Sequence, residues 1–510
     1  MNINISMWTE RNALIFADKM ALKDDYRSLS YADMNLRVRA LAQTLSNQGV
    51  KAGDRVAVLL PNTVEMVEIL FATAKLGAMY VPLNWRLGED ELAFILNDCT
   101  PKAVLYAAEW EERVAVLKTR YEESCAYAAV NLGSDDSIYE SWVNEHLGEV
   151  SSEAPGRMDA FEGSGDDGVM IIYTSGTTGL PKGVVLTHNN VFWQTINGWA
   201  LGASPDGIVL ALLPLFHVGG LNGSVTPVLH MGGTVILQRR FDPKEVLLTI
   251  EREKVTGILG VPTIYQILSQ QEEFKTIDWS SCAVLLSGGA PLPESLIHLY
   301  HDCNLEFRQG YGLTEACPGV TGMGPNECLT KAGSAGRPIL YTEVKLVDAH
   351  GNAVPQGDSG EVIVRGPNVM KGYWNRPDAT AEAIKDGWLY TGDIGKFDED
   401  GFLYIVDRKK DMIISGGENI YPAEIEKILA GHPEVTMATV VGKKDDKWGE
   451  VPVAVVVGST DSLEVDSLKT FLKERLAKYK LPKEYHIVKG LPLNASGKVV
   501  KAEVKKQLGY

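Results

Sequence analysis

The sequence predicts an α/β fold followed by a smaller mixed domain, and three observations lead there. Short β-prone apolar runs alternate with amphipathic helical stretches up to about residue 330. After Gly333 the chain turns to short strands broken by Gly/Asp turns. From about Asp411 helices and strands mix again, ending in a Lys-rich helical tail. A length of 510 residues suggests two to four domains and suffices for a large core without covalent staples.

Taken in order, residues 55–60 (RVAVLL) read as a buried strand. A turn at 61–63 leads into a helix, with Asn62 placed to cap it and Glu65 three residues on. Val67, Leu70, Phe71 and Ala74 recur on one helical face, and Gly77 is a suitable stop. Similar strand–helix units follow, with turn-rich breaks at 163–168 and 203–207. Within 342–405, turns at 348–351, 356–360 and 398–401 predict antiparallel hairpins or a small barrel. The charged run at 407–411 (DRKKD) marks an expected domain boundary, although such runs are more often solvated turns. No repeat or low-complexity tract interrupts the chain.

Composition removes several function classes. Lys+Arg 49 against Asp+Glu 66 gives a net charge of −17, unsuited to a protein devoted to nucleic acid or an anionic membrane surface. A local basic pocket for a phosphorylated ligand stays open. The six cysteines (Cys99, Cys125, Cys282, Cys303, Cys317, Cys328) form no CxxC pair, which argues against a zinc site or a disulfide framework. The first residues, MNINISMWTERNALIF, lack the pattern of a secretory leader, and no apolar run reaches 18 residues. The expectation is a cytoplasmic protein with no integral membrane segment.

Residues 171–173 (IIY) are β-prone, and a loop follows that holds Thr174, Ser175, Gly176, Thr177, Thr178, Gly179, Lys182 and Gly183. Glycines let the backbone curl so that several N–H groups face one anion, hydroxyls add donors and the lysine adds charge. The loop is not a Walker A motif, since no glycine directly precedes Lys182 and no Ser/Thr follows it. By composition it reads equally as a phosphate cradle or a surface linker, but linkers seldom follow a buried strand directly.

Residues 173–184 (YTSGTTGLPKGV) closely resemble the signature loop of the adenylate-forming superfamily of acyl-CoA synthetases, firefly luciferases and peptide-synthetase adenylation domains. Five further segments fall in that family's order: 213–219 (LPLFHVG), 311–315 (YGLTE), 390–393 (YTGD), 407–426 (DRKKDMIISGGENIYPAEIE) and 491–498 (LPLNASGK). The resemblance spans essentially the whole chain. It implies a large N-terminal domain, 1–408, of two α/β subdomains plus a small β-barrel. A mobile α+β C-terminal domain, 409–510, would follow, hinged near Lys410. It also implies a two-step reaction: a carboxylate attacks the α-phosphorus of ATP, giving an acyl-adenylate and pyrophosphate, and a thiol, usually of coenzyme A, displaces AMP.

By the same resemblance, the 174–183 loop would serve the β- and γ-phosphates, and Glu315 with Thr174 would hold Mg2+, a hard cation suited to oxygen ligands. Without the motif, Glu315 would pass for a surface or capping residue. Gly288, Gly289 and Ala290 would lie along the adenine. Gln309, Gly310, Tyr311, Gly312 and Thr314 would complete that pocket, Tyr311 by stacking and Gln309 through the exocyclic amine. Asp393 would accept from the ribose hydroxyls with Arg408 beside it, although an Asp after Gly is ordinarily a turn residue. Lys498, otherwise one of several exposed lysines, would bridge the carboxylate and the α-phosphate. For the thiol step Gly416 and Gly417 would line the pantetheine channel, and Trp448 would contact coenzyme A, a tryptophan being more often core.

The acyl site would take in His217, Val218, Gly219, Gly312 and Trp193. Peptide-synthetase domains carry an aspartate near position 217 for a substrate ammonium. A histidine there disfavours an amino acid and suits a gate at the reaction centre. Fatty acids of medium or long chain and aryl acids both stay open. The leading expectation is an acid–CoA ligase. Its rivals are an enzyme loading a free-standing carrier protein and a catalytically silent adenylate-binding protein. The presence of Thr174, Lys182, Glu315, Asp393, Arg408 and Lys498 disfavours the silent reading. A homodimer is left open.

Overall fold

The computed structural model describes residues 3–121, 125–152, 163–174, 180–200, 203–415, 418–445, 447–460, 463–493 and 499–510. The chain divides into two compact units, Met1–Val344 with Val364–Leu389, and Lys345–Ile363 with Tyr390–Tyr510. The boundary expected at 408/409 lies inside the second unit.

The first unit holds two sheets, each with a parallel centre. In the seven-stranded sheet, Arg55–Leu59 pairs in parallel with Met79–Pro82 on one side and Ala103–Ala107 on the other. Its far edge turns antiparallel through Gly168–Thr174, Lys182–Thr187 and Gly372–Tyr373. The nine-stranded sheet runs parallel from Phe307–Gly312 through Val284–Ser287, Gly257–Gly260, Ile208–Ala211 and Thr234–Leu237 to Met20–Lys23. Helices cover such strands, so the strands read as unbroken apolar runs; Val56, Ala57, Val58 and Leu59 are all inaccessible to solvent.

The helix after Arg55–Leu59 is Val64–Lys75, buried along almost its whole length rather than on one face. It is flanked by Thr63, which makes no side-chain cap. The expected cap, Asn62, instead reaches across the unit: its Nδ2 donates to the carbonyl of Leu213 (3.0 Å) and its Oδ1 accepts from the amide of Leu215 (2.9 Å). Two unmet backbone groups of an irregular buried loop outcompete the helix end, where the Asp24 carboxylate accepts from the Val64 amide (3.0 Å) instead. Gly77 sits at φ +66°, the left-handed conformation of a helix stop.

Beneath this helix is a buried ionic cluster. Arg27 reaches Glu65 (3.2 Å) and Glu140 (2.7 Å), Arg37 pairs with Glu68 and Glu140, and the Tyr139 hydroxyl donates to Glu68 (2.6 Å). Three carboxylates face two guanidinium groups, so one negative charge is left over. Burial, then the neighbouring Glu68, pushes the Glu65 carboxyl up to about 7.

In the second unit, Glu418–Ile420, Ile413–Ser415, Gly449–Gly458, Val435–Asp445 and Glu484–Ile487 form a sheet packed with Pro422–Ala430 and Val465–Lys473. This is the expected mixture of helix and sheet, and the C-terminal helix is Lys501–Gln507. Strands between 343 and 408 form a further five-stranded sheet. Its pairings among the described residues do not include a closure into the small barrel that was expected. All six cysteines are free thiols. Among the described residues no helix is long and apolar enough to cross a membrane.

Candidate active site

The glycine-rich loop joins the antiparallel strands Gly168–Thr174 and Lys182–Thr187, with Thr174 directly opposite Lys182. The pairing sets a hydroxyl and an ammonium-bearing residue side by side at the root of the loop. The Thr174 hydroxyl makes only a long contact, 3.5 Å, to the Lys182 carbonyl, and the Lys182 ammonium lies 5.2 Å from the centre of the Tyr373 ring. Ser175, Gly176, Thr177, Thr178 and Gly179, the expected cradle itself, lie outside the described residues.

Beside it the nine-stranded sheet delivers two chain segments at one level, since Ser287 is opposite Gln309. Gly288 follows, its amide bonded to the Gly260 carbonyl (3.2 Å), then Gly289 at φ +78° and Ala290. A side chain on Gly288 would meet only the Gly310 carbonyl, at 3.5 Å, so the two glycines leave a flat backbone surface. Gln309 is buried and its amide is engaged at both ends, Nε2 on the Ser334 carbonyl (2.8 Å) and Oε1 under the Leu292 amide (3.1 Å). It ties the wall together, an occupation the sequence did not suggest. Tyr311 and Thr314 are half-buried.

Glu315 follows on a short helical turn, Thr314–Ala316. Its carbonyl accepts from the Met370 amide (2.8 Å) and its Oε1 accepts from the Tyr373 hydroxyl (2.8 Å). Oε2 receives no donor among the described residues. A half-buried carboxylate with one oxygen pinned and one open, near a threonine-bearing strand, is an oxygen donor set that suits a hard divalent cation such as Mg2+. The loop after it is held by Asn368, fully buried, whose Nδ2 donates to the carbonyls of Ala316 (3.2 Å) and Gly319 (2.6 Å). Neither Asn368 nor Tyr373 stood out in the sequence; both lie in 366–374 (GPNVMKGYW), a stretch without chemical pattern.

The LPLFHVG segment enters a run of short helical pieces, Val218–Gly220, the π-helical Leu221–Val225 and Thr226–Met231. His217 is half-buried against the Phe216 ring, 4.6 Å between centroids. Gly220 is obligatory, as a Cβ there would lie 2.3 Å from the Pro214 carbonyl oxygen, whereas Gly219 meets nothing nearer than Leu213 at 3.8 Å. A small side chain at 219 would therefore meet only ordinary contact, whereas Val218 is buried. Trp193, half-buried on His188–Ala200, packs edge-on against Tyr341 at 4.8 Å.

In the second unit, Asp393 and Arg408 are cross-strand partners, with Nε 2.6 Å from Oδ1. Asp393 is 2% exposed and its amide is held by the Thr391 hydroxyl (3.1 Å), while the Arg408 side chain is half exposed. Lys410 is exposed in the turn that follows. Trp448, 43% exposed, sits at the tip between Val435–Asp445 and Gly449–Gly458, with the Lys447 ammonium 5.0 Å from its ring. Gly416, Gly417 and Lys498 lie outside the described residues.

Comparison with known proteins decides what this arrangement belongs to. The family model described as AMP-binding enzyme matches residues 9–374, and its C-terminal domain model matches 424–498. The chain belongs to the AMP-binding enzyme family. This AMP-binding enzyme is 42% identical to a feruloyl-CoA synthase of an Amycolatopsis species over 510 residues, covering 100% of both chains. It is 39% identical to a long-chain-fatty-acid–CoA ligase of Mycobacterium tuberculosis, over 94% of this chain and 93% of that one. An o-succinylbenzoate CoA synthetase from Bacillus subtilis, solved with its acyl-adenylate intermediate, superimposes with a TM-score of 0.85 at 35% identity, covering 98% and 97% of the two chains. The AMP-binding enzyme is thus one of the adenylate-forming superfamily, an AMP-forming acyl-CoA synthetase by class.

Proposed function

We propose that the chain ligates an aryl carboxylic acid of hydroxycinnamate size to coenzyme A, through an acyl-adenylate. The observation that carries the choice of acid is the match to the feruloyl-CoA synthase, unbroken over the full length of both chains. The pocket chemistry agrees: half-buried His217 carries no negative charge for a substrate ammonium, and Gly219 adds no side-chain bulk beside it.

The residues divide the work by charge. In the first step a carboxylate oxygen bonds to the α-phosphorus of ATP and the bond to the β-phosphate oxygen breaks, releasing pyrophosphate. Two anions meet, so fixed positive charge and donors lower the barrier. Lys182 and the loop after Thr174 hold the β- and γ-phosphates, and Lys498 bridges the acid and the α-phosphate. Thr174 and Glu315 hold Mg2+, which when bound neutralises phosphate charge. Gly288, Gly289, Ala290, Gly310, Tyr311, Gly312 and Thr314 shape the adenine site, with Gln309 bracing its wall. Asp393, paired with Arg408, accepts from the ribose hydroxyls. In the second step the thiol sulfur attacks the acyl carbon, its proton leaves and AMP departs. Gly416, Gly417 and Trp448 serve that thiol after a turn about Lys410. Val218 backs the acyl site, and Trp193 and Gly219 bound it.

The test is kcat/KM for CoA-thioester formation across hydroxycinnamates, other aryl acids and fatty acids of eight to sixteen carbons. Hydroxycinnamates should lead the fatty acids by at least about 10-fold, the scale of one or two well-filled pocket contacts. A fatty acid at the head of the series would overturn the aryl reading and leave the ligase reading in place.

A further inference from the structure

Lys182 and Glu315 are the cation and the carboxylate of this site, and they create a difficulty for each other. Opposite charges in one half-buried cleft tend to collapse into an ion pair, which would silence both as ligands. Among the described residues no such pair forms. What stands between them is Tyr373, whose hydroxyl donates to Glu315 Oε1 at 2.8 Å and whose ring face carries the Lys182 ammonium at 5.2 Å.

Its placement is built into the backbone on three sides. The two-residue strand Gly372–Tyr373 pairs with Lys182–Thr187, setting Tyr373 opposite Val184, and the next amide, Trp374, donates to the Gly183 carbonyl at 2.7 Å. Upstream, the Met370 amide donates to the Glu315 carbonyl. The Tyr373 amide itself is bonded to the Thr380 hydroxyl at 2.8 Å. Gly372, at φ +151°, allows Thr380 that close, since a Cβ there would lie 2.7 Å from its methyl group. One side chain is thus stitched to the carboxylate's own backbone and to the lysine's own strand.

We propose that Tyr373 is the positioning residue of the metal–nucleotide site: it pins one oxygen of Glu315 so that the other faces Mg2+, and it parks Lys182 on its ring for the phosphates. The inference rests on the roles proposed above for Glu315 and Lys182. Hydrogen bonds from the surroundings onto a metal-binding carboxylate commonly govern metal affinity by 10–100-fold, and a cation on an aromatic face is held without being neutralised.

The test measures nucleotide binding directly, by calorimetry with ATP in the presence of Mg2+ and in EDTA, and by Mn2+ binding to the ATP complex followed by electron paramagnetic resonance. Tyr373→Phe should weaken metal-dependent ATP and Mn2+ binding roughly 10-fold, with metal-free ATP binding and the KM for the acid unchanged. Tyr373→Leu, which also removes the ring, should weaken metal-free ATP binding as well. In a Glu315→Gln background the Phe substitution should have no further effect on metal binding. Should Tyr373→Phe fail to fold, Tyr373→His, which still offers a donor, takes its place and should retain more metal binding than Tyr373→Leu. Equal losses with and without metal in Tyr373→Phe, or a loss that persists in the Glu315→Gln background, would overturn the proposal. A wild-type chain whose ATP binding ignores the metal would overturn the reading of Glu315 itself; ligase activity on the acid panel is scored separately.

Discussion

At Gly312 the Cβ of any other residue would lie 2.0 Å from the carbonyl oxygen of Pro318, so the two strands that flank Glu315 approach as closely as they do only because a hydrogen stands there. Gly312→Ala should destabilise the protein by about 3 kcal/mol, the upper range of overpacking, read as a lower denaturant midpoint. It should also displace Glu315 and raise the KM for MgATP. Glu65 makes a residue-scale prediction of opposite sign. Its ordinary value is 4.5 and burial raises it to about 7 in the fold. Between those values the folded chain keeps a proton that the unfolded chain has released, so this group's contribution falls as pH rises through that window. Glu65→Gln should flatten the fall in stability from pH 4.5 to 7 by on the order of 2 kcal/mol, measured by urea unfolding across that range. An unchanged pH profile would show that Arg27 holds Glu65 ionised.

At the scale of elements, the sequence made the repeated strands and their partners legible wherever periodicity and turn residues agreed. Residues 55–59 form a buried strand, 64–75 a helix, and Thr174 and Lys182 bracket the glycine-rich loop as cross-strand neighbours. What stayed hidden are links between segments distant in the chain, which leave no local pattern. Asn62 looked like a helix cap because its neighbours are cap-like, but its partners, Leu213 and Leu215, lie about 150 residues away. Asn368 and Tyr373 were invisible for the same reason: their partners lie around Glu315. Gln309 sits just before a recognised motif, yet its bonds to Ser334 and Leu292 depend on loops that the motif does not contain. Asn62→Ala should cost about 1–3 kcal/mol by leaving two buried backbone groups unmet. Because those groups belong to the segment that carries His217, its KM for the acid should rise while the KM for ATP holds.

At the scale of the whole molecule, two compact units carry complementary chemistry. The first bears the loop root, Glu315 and the acyl segment; the second bears the Asp393–Arg408 pair and, in 494–498, the lysine proposed for adenylation. On the proposed roles, Lys498 serves the first step and not the second. Lys498→Ala should slow adenylate formation by at least about 100-fold, the scale of removing a charge from a developing anion. Thioester formation from supplied acyl-adenylate should stay near wild type. Rapid-quench assays of each half-reaction separate the two, and equal losses in both would remove Lys498 from its role.

The most direct measurement is release of pyrophosphate and AMP from ATP and Mg2+ with a hydroxycinnamate, run with and without coenzyme A. The account predicts that pyrophosphate release depends on the acid. Steady turnover to AMP should appear only when coenzyme A is added, in step with thioester formation. Turnover that coenzyme A leaves unchanged, or pyrophosphate release that ignores the acid, would contradict it.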